Sequence, residues 1–341
     1  MNIIGGGPVG LYTAYLLAKG GHQVTVHEEH RRIGKPEHCT GIVSRNLWDM
    51  VKPDSEAILE TLQGAHFYAK DEHAFLERKN KVDVLNRTVL DRQLAEMAQS
   101  EGAKVERGKR VSWESFDGLV VAADGATSQT RYDFGQSVDF LPALQFDLRE
   151  RAAALCRTCE LWYGPWAPDF FAWVVPHGNR VRVGMAAQNL QALKSFVLKR
   201  FGRLRVSAQH SGLVITGGPV AETYFKQRER DVVLVGDAAG HVKPTTGGGV
   251  VMGLRGAKHL IENIDDLPSY QLQWNKDFGG ELRFQKLAMK VILRKPEAFV
   301  RFLVRSKGVI EVGADMEMQS KIVFKNLPSV FRLGLDLMWP K

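Results

Sequence analysis

The chain opens Met1-Asn2-Ile3-Ile4-Gly5-Gly6-Gly7-Pro8-Val9-Gly10. Its apolar start reads as a short strand feeding a turn, and Gly5, Gly7 and Gly10 occupy the glycine positions of G-x-G-x-x-G. In that motif the first glycine permits the tight turn, the second lets a pyrophosphate approach the backbone, and the third lets the helix pack on the strand. The expected helix runs from Leu11 to Lys19 and stops at Gly20-Gly21. Its N-terminus presents free N–H groups and a positive dipole end to phosphate. A second strand, Gln23 to His27, delivers Glu28 about where the ribose-binding carboxylate of such a fold belongs. Strand, glycine triad, helix, strand and terminal acid in that order predict a dinucleotide-binding α/β unit.

A second glycine-rich segment lies far along the chain: Val232-Val233-Leu234-Val235-Gly236-Asp237-Ala238-Ala239-Gly240, then His241-Val242-Lys243-Pro244 and Thr245-Thr246-Gly247-Gly248-Gly249. A nucleotide gripped from both ends of the sequence points to FAD rather than to a diffusible nicotinamide. Asp237 ends a buried strand, where its carboxylate can meet ribityl hydroxyls. A helix starting after Gly249 can aim its N-terminus at a flavin carbonyl and stabilise the reduced, anionic ring.

The composition bounds the class. The 341 residues suffice for one large α/β domain or two intimately joined ones, and 44% hydrophobic with 25% charged residues predicts a packed core. Cys39, Cys156 and Cys159 make no disulfide framework, which fits a reducing interior and a cytoplasmic protein. We expect no secretory leader, and no apolar run approaches the ~20 residues a spanning helix needs. The formal charge is +8, and from Glu281 to Lys341 twelve Lys and Arg face six Asp and Glu. That excess points to an anionic membrane surface at the inner face or to a phosphorylated substrate, with solvated helix faces as the plain alternative. Nucleic acid is not expected, because no recognised motif for it is present.

Three stretches follow. Residues 1–139 and 225–270 form an expected discontinuous nucleotide-binding domain, 140–224 an antiparallel-sheet substrate domain, and 271–341 a helical C-terminal segment. Strands around Ala65–Tyr68 and Lys81–Leu85 read as a sheet inserted into the nucleotide fold, and Leu90, Leu94 and Met97 carry helical spacing. Leu119–Ala123 is a further buried strand that delivers Asp124-Gly125. Between Phe140 and Tyr224 the β-type segments 170–175 and 180–186 are separated by the turn His177-Gly178-Asn179.

With these residues in view the chain resembles the FAD-dependent geranylgeranyl reductase family, a digeranylgeranylglycerophospholipid reductase-like branch of the group that includes aromatic hydroxylases. The resemblance covers roughly residues 1 to 260 and fades in the tail. Three features carry it. Cys39-Thr40-Gly41 is similar to the family's cysteine-containing turn. Gly236–Gly240 with Pro244 and Thr246–Gly249 is similar to the reductase form of the second FAD motif, whereas hydroxylases usually carry histidine where this chain has Gly240. Pro168-Asp169-Phe170-Phe171-Ala172-Trp173-Val174-Val175-Pro176 is similar to the substrate motif P-x-x-Y-x-W-x-F-P, departing at Phe171 and Val175. The loss of the phenol at 171 removes a hydrogen-bond donor, while an apolar wall for an isoprenoid chain survives.

The resemblance implies an α/β fold: a Rossmann-like FAD-binding domain of the aromatic-hydroxylase type, an antiparallel-sheet substrate domain and a helical C-terminal segment. It places Gly5, Gly7, Val9, Gly10, Glu28, Cys39, Thr40, Gly41, Arg87, Asp124, Asp237, Gly248, Gly249 and Val250 against FAD, with Arg87 bidentate to the pyrophosphate or adenosine region. Phe171, Trp173 and Pro176 fall to the substrate, and Cys39 is the candidate catalytic thiol. The implied activity saturates C=C bonds of geranylgeranyl chains in isoprenoid lipids or geranylgeranyl diphosphate. Electrons would come from ferredoxin, a quinol or NAD(P)H, with a peripheral membrane contact. An FAD-dependent monooxygenase acting on an apolar or aromatic substrate and a non-catalytic FAD- or isoprenoid-binding protein are the competing readings. Cys156-Arg157-Thr158-Cys159 lacks the second pair of a zinc site and reads as incidental strand thiols; no metal is expected. His38 and His241, beside the cofactor loops, read as structural or solvent-facing.

Overall fold

The computed structural model describes residues 1–149, 155, 157–202, 205–313, 316–326, 328–329 and 332–333. Strand β1 (Asn2–Ile4), helix α1 (Pro8–Lys19) and strand β2 (Thr25–Glu28) form the expected unit, with β1 and β2 parallel and Ile4 opposite His27. Asn86 caps helix α2 (Arg87–Ser100), its side-chain oxygen accepting from the Thr88 and Val89 N–H groups. Strands β6 (Lys104–Arg107) and β7 (Gly118–Ala122) add to either side of this unit, and β14 (Arg230–Leu234) pairs parallel with β7. The antiparallel edge strand β13 (Tyr224–Gln227) completes a six-stranded sheet in the order β13-β14-β7-β1-β2-β6. The chain leaves β1 towards β2 on one side and meets β7 on the other. The carboxyl end of β1 is therefore a topological switch point, where open α/β sheets bind ligands.

Helix α1 is buried by its composition: Leu11, Ala14, Leu17 and Ala18 meet Leu90 and Leu94 of α2 and Val251, Leu254 and Leu260 of α5 (Val250–Glu262). The second glycine motif returns on β14 and leads into α5, so both motifs end on helices packed against the same sheet.

The strands expected near residues 65 and 81 are longer, β4 (Ile58–Ala69) and β5 (Glu72–Leu85), and they do not stand alone. Strand β4 pairs parallel with β9 (Thr158–Gly164), Gly64 opposite Thr158. One eight-stranded sheet therefore runs β12-β8-β11-β10-β9-β4-β5-β3, using β3 (Ile42–Ser44), β8 (Phe140–Leu148), β10 (Ala167–His177), β11 (Arg180–Ala186) and β12 (Val206–Ile215). Along β10 the two-residue period separates two cores. Phe171, Trp173 and Val175 face a cluster shared with Leu62, Val82 and Phe302, while Ala172 and Val174 face Leu193, Phe196 and Val197, the latter three on α4 (Ala192–Phe201). Helices α6 (Leu267–Trp274), α7 (Gly280–Arg294), α8 (Pro296–Gly313) and α9 (Ser320–Lys325) follow, and α8 packs across β4 and β5. Cys156 and most of the tail from Leu327 to Lys341 lie outside the described residues, and with them the C-x-x-C reading and the end of the expected helical C-terminal segment.

Candidate active site

A single cavity of about 900 Å³ runs from the switch point of the first sheet to the face of the second. Its polar end is built from the glycine motifs. Gly7 caps α1 with no side-chain hydrogen bond, Gly249 does the same for α5, and Gly7, Val9, Gly248, Gly249 and Val250 all line the cavity. Two uncapped helix N-termini thus open on one space, each offering backbone donors and a positive dipole end. Gly6 donates to Glu28 Oε2 at 2.7 Å, and the other carboxylate oxygen accepts from the His30 N–H at 2.8 Å. Glu28 is held by the turn and still borders the cavity.

Gly5, Gly10 and Gly41 do not line it. A Cβ on them would fall 2.3 Å from Ala123 O, 2.1 Å from Gly5 O and 2.3 Å from Leu85 O, so these glycines shape the walls from behind. Asp124 also stands back: Oδ2 accepts from Thr130, and Oδ1 is buried without a partner among the described residues, leaving Gly125 on the wall. Pro176 is displaced by the same two-residue period that brings Phe171 and Trp173 inward; it lies on the face of Ala172 and Val174.

Cys39, Thr40, Arg87 and Asp237 border the cavity together. Burial works against the charge on Arg87, but Asp91 at 3.1 Å and the neighbouring Cys39 outweigh it and raise its affinity for its proton. Burial raises Asp237 above the usual carboxylate range, against the pull of Arg87 and Arg131. Cys39 Sγ accepts from the Gly41 N–H at 3.3 Å.

The loop carrying Cys39 is tied to the second sheet by residues that sequence reading missed. Arg182 Nη1 donates to the Cys39 carbonyl oxygen at 2.9 Å and to Glu37 at 2.7 Å, while Nε donates to Asp147 at 2.7 Å. Gln145 donates to His38 O at 3.1 Å and accepts from the Thr40 hydroxyl at 3.3 Å. Burial opposes ionisation of Glu37 and Asp147, but Arg182 wins for both, holding Glu37 below its ordinary value and Asp147 at about 2. Arg182 is 1% exposed, and a buried arginine within the apolar run of β11 is the signal that could have marked it. Arg131, also buried, donates to Ala126 O at 2.6 Å and to the Asp237 and Ala238 carbonyls, joining the turn after β7 to the second glycine motif.

The other end of the cavity is apolar. Phe171, Trp173 and Val175 of β10 face Phe299, Phe302 and Leu303 of α8. His38 borders the cavity and pairs with Ser211 O, whereas His241 is fully buried away from it, stacked at 3.7 Å on Trp274.

A dinucleotide cradle at a switch point opens into an apolar chamber walled by a second sheet, which defines a two-sheet α/β fold with a Rossmann-like nucleotide-binding unit. Residues 3–36 match the model of the NAD(P)-binding Rossmann-like domain family. Over nearly its whole length the chain is similar to digeranylgeranylglycerophospholipid reductases. It is 28% identical to number 2 of Methanothermobacter thermautotrophicus, over 98% of both chains. With that of Methanococcus vannielii it is 24% identical, over 98% of this chain and 97% of the other. A solved geranylgeranyl bacteriochlorophyll reductase-like protein from Thermoplasma acidophilum superposes with TM-score 0.80 at 21% identity, covering 98% of each chain. The resemblance to the geranylgeranyl reductase family therefore does not fade at residue 260 but continues through the C-terminal helices.

Proposed function

We propose that the protein is an FAD-dependent reductase that saturates C=C bonds of geranylgeranyl chains carried by isoprenoid lipids. The observation that carries this reading is the single cavity whose one end is a dinucleotide cradle and whose other end is an apolar chamber. FAD, once reduced by an external electron donor, would supply hydride chemistry there. The residues fit such a cofactor at both ends. The α1 terminus and Gly7 suit a pyrophosphate, and Glu28 suits the adenosine ribose. The α5 terminus, with Asp237 beside it, suits the flavin end and favours its reduced, anionic form.

The chain's own part is orientation and exclusion of water. Phe171, Trp173, Phe299 and Phe302 wall the prenyl chain, and an alkene without a polarising carbonyl depends on tight placement. The Cys39 loop, fixed by Arg182 and Gln145, offers polar groups to the cavity, and Cys39 is the candidate proton source. Gly240 speaks against the monooxygenase reading. Its φ is +68°, and a Cβ there would meet Gly218 O at 2.5 Å, so the histidine common in hydroxylases has no room.

The decisive experiment incubates the dithionite-reduced protein with a geranylgeranyl lipid and reads mass. Gain of hydrogen in pairs supports the reductase. Binding without mass gain leaves a mere carrier, and an oxygen-dependent hydroxylated product would establish the rival.

A further inference from the structure

Lys243 is 4% exposed, yet it lines the cavity beside the start of α5. The turn that follows fixes where its side chain lies. The Lys243 N–H donates to Gly248 O at 3.3 Å, and the Lys243 carbonyl oxygen accepts from the Thr246 and Gly247 N–H groups at 3.2 and 2.8 Å. The side chain lies back against this turn: a Cβ on Gly248 would fall 3.1 Å from Lys243 Cε and 3.5 Å from Nζ. Gly249, the next residue, caps α5. A lysine ammonium and the positive end of a helix dipole therefore share one corner of the cavity.

A buried ammonium requires a counter-charge, and the C-terminal segment supplies it. Lys243 Nζ donates at 3.0 Å to Glu317, which lies between α8 and α9 and is 0% exposed. The same carboxylate accepts from the Ser44 hydroxyl at 2.9 Å and from Asn46 Nδ2, so three donors hold it in place. Lys243 stands on the cavity wall and Glu317 behind it, which makes the pair a fixed dipole with its positive end inward. Two other charged side chains border this end. Arg87 is held by Asp91 at 3.1 Å. Asp237 reaches the same turn, 2.5 Å from where a Cβ on Gly249 would lie, and opposes Lys243; burial raises it above the usual carboxylate range and so weakens that opposition.

We propose that Lys243, backed by Glu317, tunes the cofactor: its ammonium stabilises the negative charge of the reduced flavin at the α5 end and so raises the midpoint potential of the bound flavin. This rests on the FAD reading of the site, with the flavin end at α5, and not on the identity of the substrate. Through Glu317 the C-terminal segment acts on the redox chemistry without itself bordering the cavity.

The test measures the midpoint potential of the FAD-loaded protein at neutral pH against a reference dye, with no substrate present. Lys243→Met should lower the potential by about 30 mV or more, a tenfold change for a two-electron couple. Lys243→Arg, which keeps the cation, should stay near wild type. Glu317→Gln should raise the potential, because the ammonium then lacks its counter-charge. Lys243→Met combined with Glu317→Gln should lie between Lys243→Met and wild type. The double variant leaves neither charge buried alone, so it carries the test where a single variant loses its flavin. An unchanged potential in Lys243→Met, single variants that shift in the same direction, or a double variant at or above wild type would overturn the proposal. Wild type that takes up no FAD would bring down the cofactor reading with it. The expected shifts in a protein that adds no hydrogen to a geranylgeranyl lipid would uphold the proposal and sink the reductase reading alone.

Discussion

Arg182 and Cys39 are 143 residues apart in sequence, yet the Arg182 guanidinium donates to the Cys39 carbonyl oxygen at 2.9 Å from a site that is 1% exposed. The same guanidinium neutralises Asp147 and Glu37, so one side chain of the second sheet sets a loop that borders the cavity. Arg182→Met should leave two buried carboxylates without their counter-charge and cost about 3–5 kcal/mol. Arg182→Lys keeps a charge but loses the fork that grips three acceptors at once. Denaturant unfolding should show a large loss for the first. For the second it should show a smaller loss with reduced flavin occupancy, as the loop loosens. Equal stability of both variants and wild type would remove Arg182 from this role.

Glu28 accepts from the glycine turn itself and sits on the cavity wall. Glu28→Ala should weaken FAD by roughly ten- to a hundred-fold, the worth of a charged hydrogen bond. Flavin fluorescence titration of the apoprotein measures it. Unchanged affinity would place the ribose elsewhere.

Trp173 is 7% exposed and backs onto Gly184 of β11, where a Cβ would fall 2.5 Å from the indole. Gly184→Ala should push that ring into the chamber, raising the Michaelis constant for the prenyl lipid while flavin stays bound. Trp173→Ala removes both packing and wall. It should cost about 3–5 kcal/mol of stability together with substrate affinity. If Gly184→Ala left substrate kinetics untouched, the indole would belong to the core alone.

These cases show where sequence reading reaches and where it stops. The turn from Ile4 to Gly10 was legible because its geometry is local: Gly6 and Gly10 answer contacts within the β1–α1–β2 unit, Gly5 one with the adjacent strand's end at Ala123, and Gly7 leaves open space at the helix N-terminus. The inward facing of Phe171 and Trp173 follows a two-residue period that turns Pro176 the other way. The parallel pairing of Gly64 with Thr158 was not legible, because the residues between them carry no local sign of which edge β4 will join. Nor was the part of the wall contributed by α8. Its sequence pattern says only that a face is buried, and tertiary packing decides against what. The basic residues told a similar story. Arg301 pairs with Glu72 at 2.7 Å and Lys307 with Glu311 at 3.7 Å, so part of the tail's charge is met within the fold.

Two histidines predict an early loss of stability in acid. Burial, helped by the charge of Arg182, lowers His177 to about 4, and burial, helped by His259, lowers His241 to about 3, both from 6.5. Between 6.5 and those values the unfolded chain binds protons that the folded one does not, so stability falls as pH drops through that window. Above pH 6.5 their contribution is fully present. Each histidine adds a slope of about 1.4 kcal/mol per pH unit at full difference. Asp147 adds its own loss only lower, as pH falls from the ordinary carboxylate range through about 2. Unfolding midpoints should decline from pH 6.5 to 4.5, and His241→Leu should flatten the decline. A flat wild-type profile over that range would contradict neutral burial of these rings.

The cavity's apolar end comes to the surface at Leu287 of α7, a wall residue that is 63% exposed. On the same helix Arg283, Lys290 and Arg294 are exposed and make no ion pair among the described residues, whereas Lys286 meets Asp139 at 2.9 Å. A lipid entering there would pass an apolar step flanked by cations. No helix among the described residues is long and apolar enough to cross a membrane, so any such contact would be interfacial. Each basic residue near an anionic surface is worth about 1 kcal/mol, so Lys290→Gln with Arg294→Gln should weaken binding to anionic vesicles roughly thirty-fold. Flotation with anionic and with neutral vesicles reads the effect. Leu287→Asp should weaken binding to both kinds, because it removes the apolar step and not only the attraction. Flotation of the double variant equal to that of wild type on anionic vesicles would show that the face of α7 does not meet lipid.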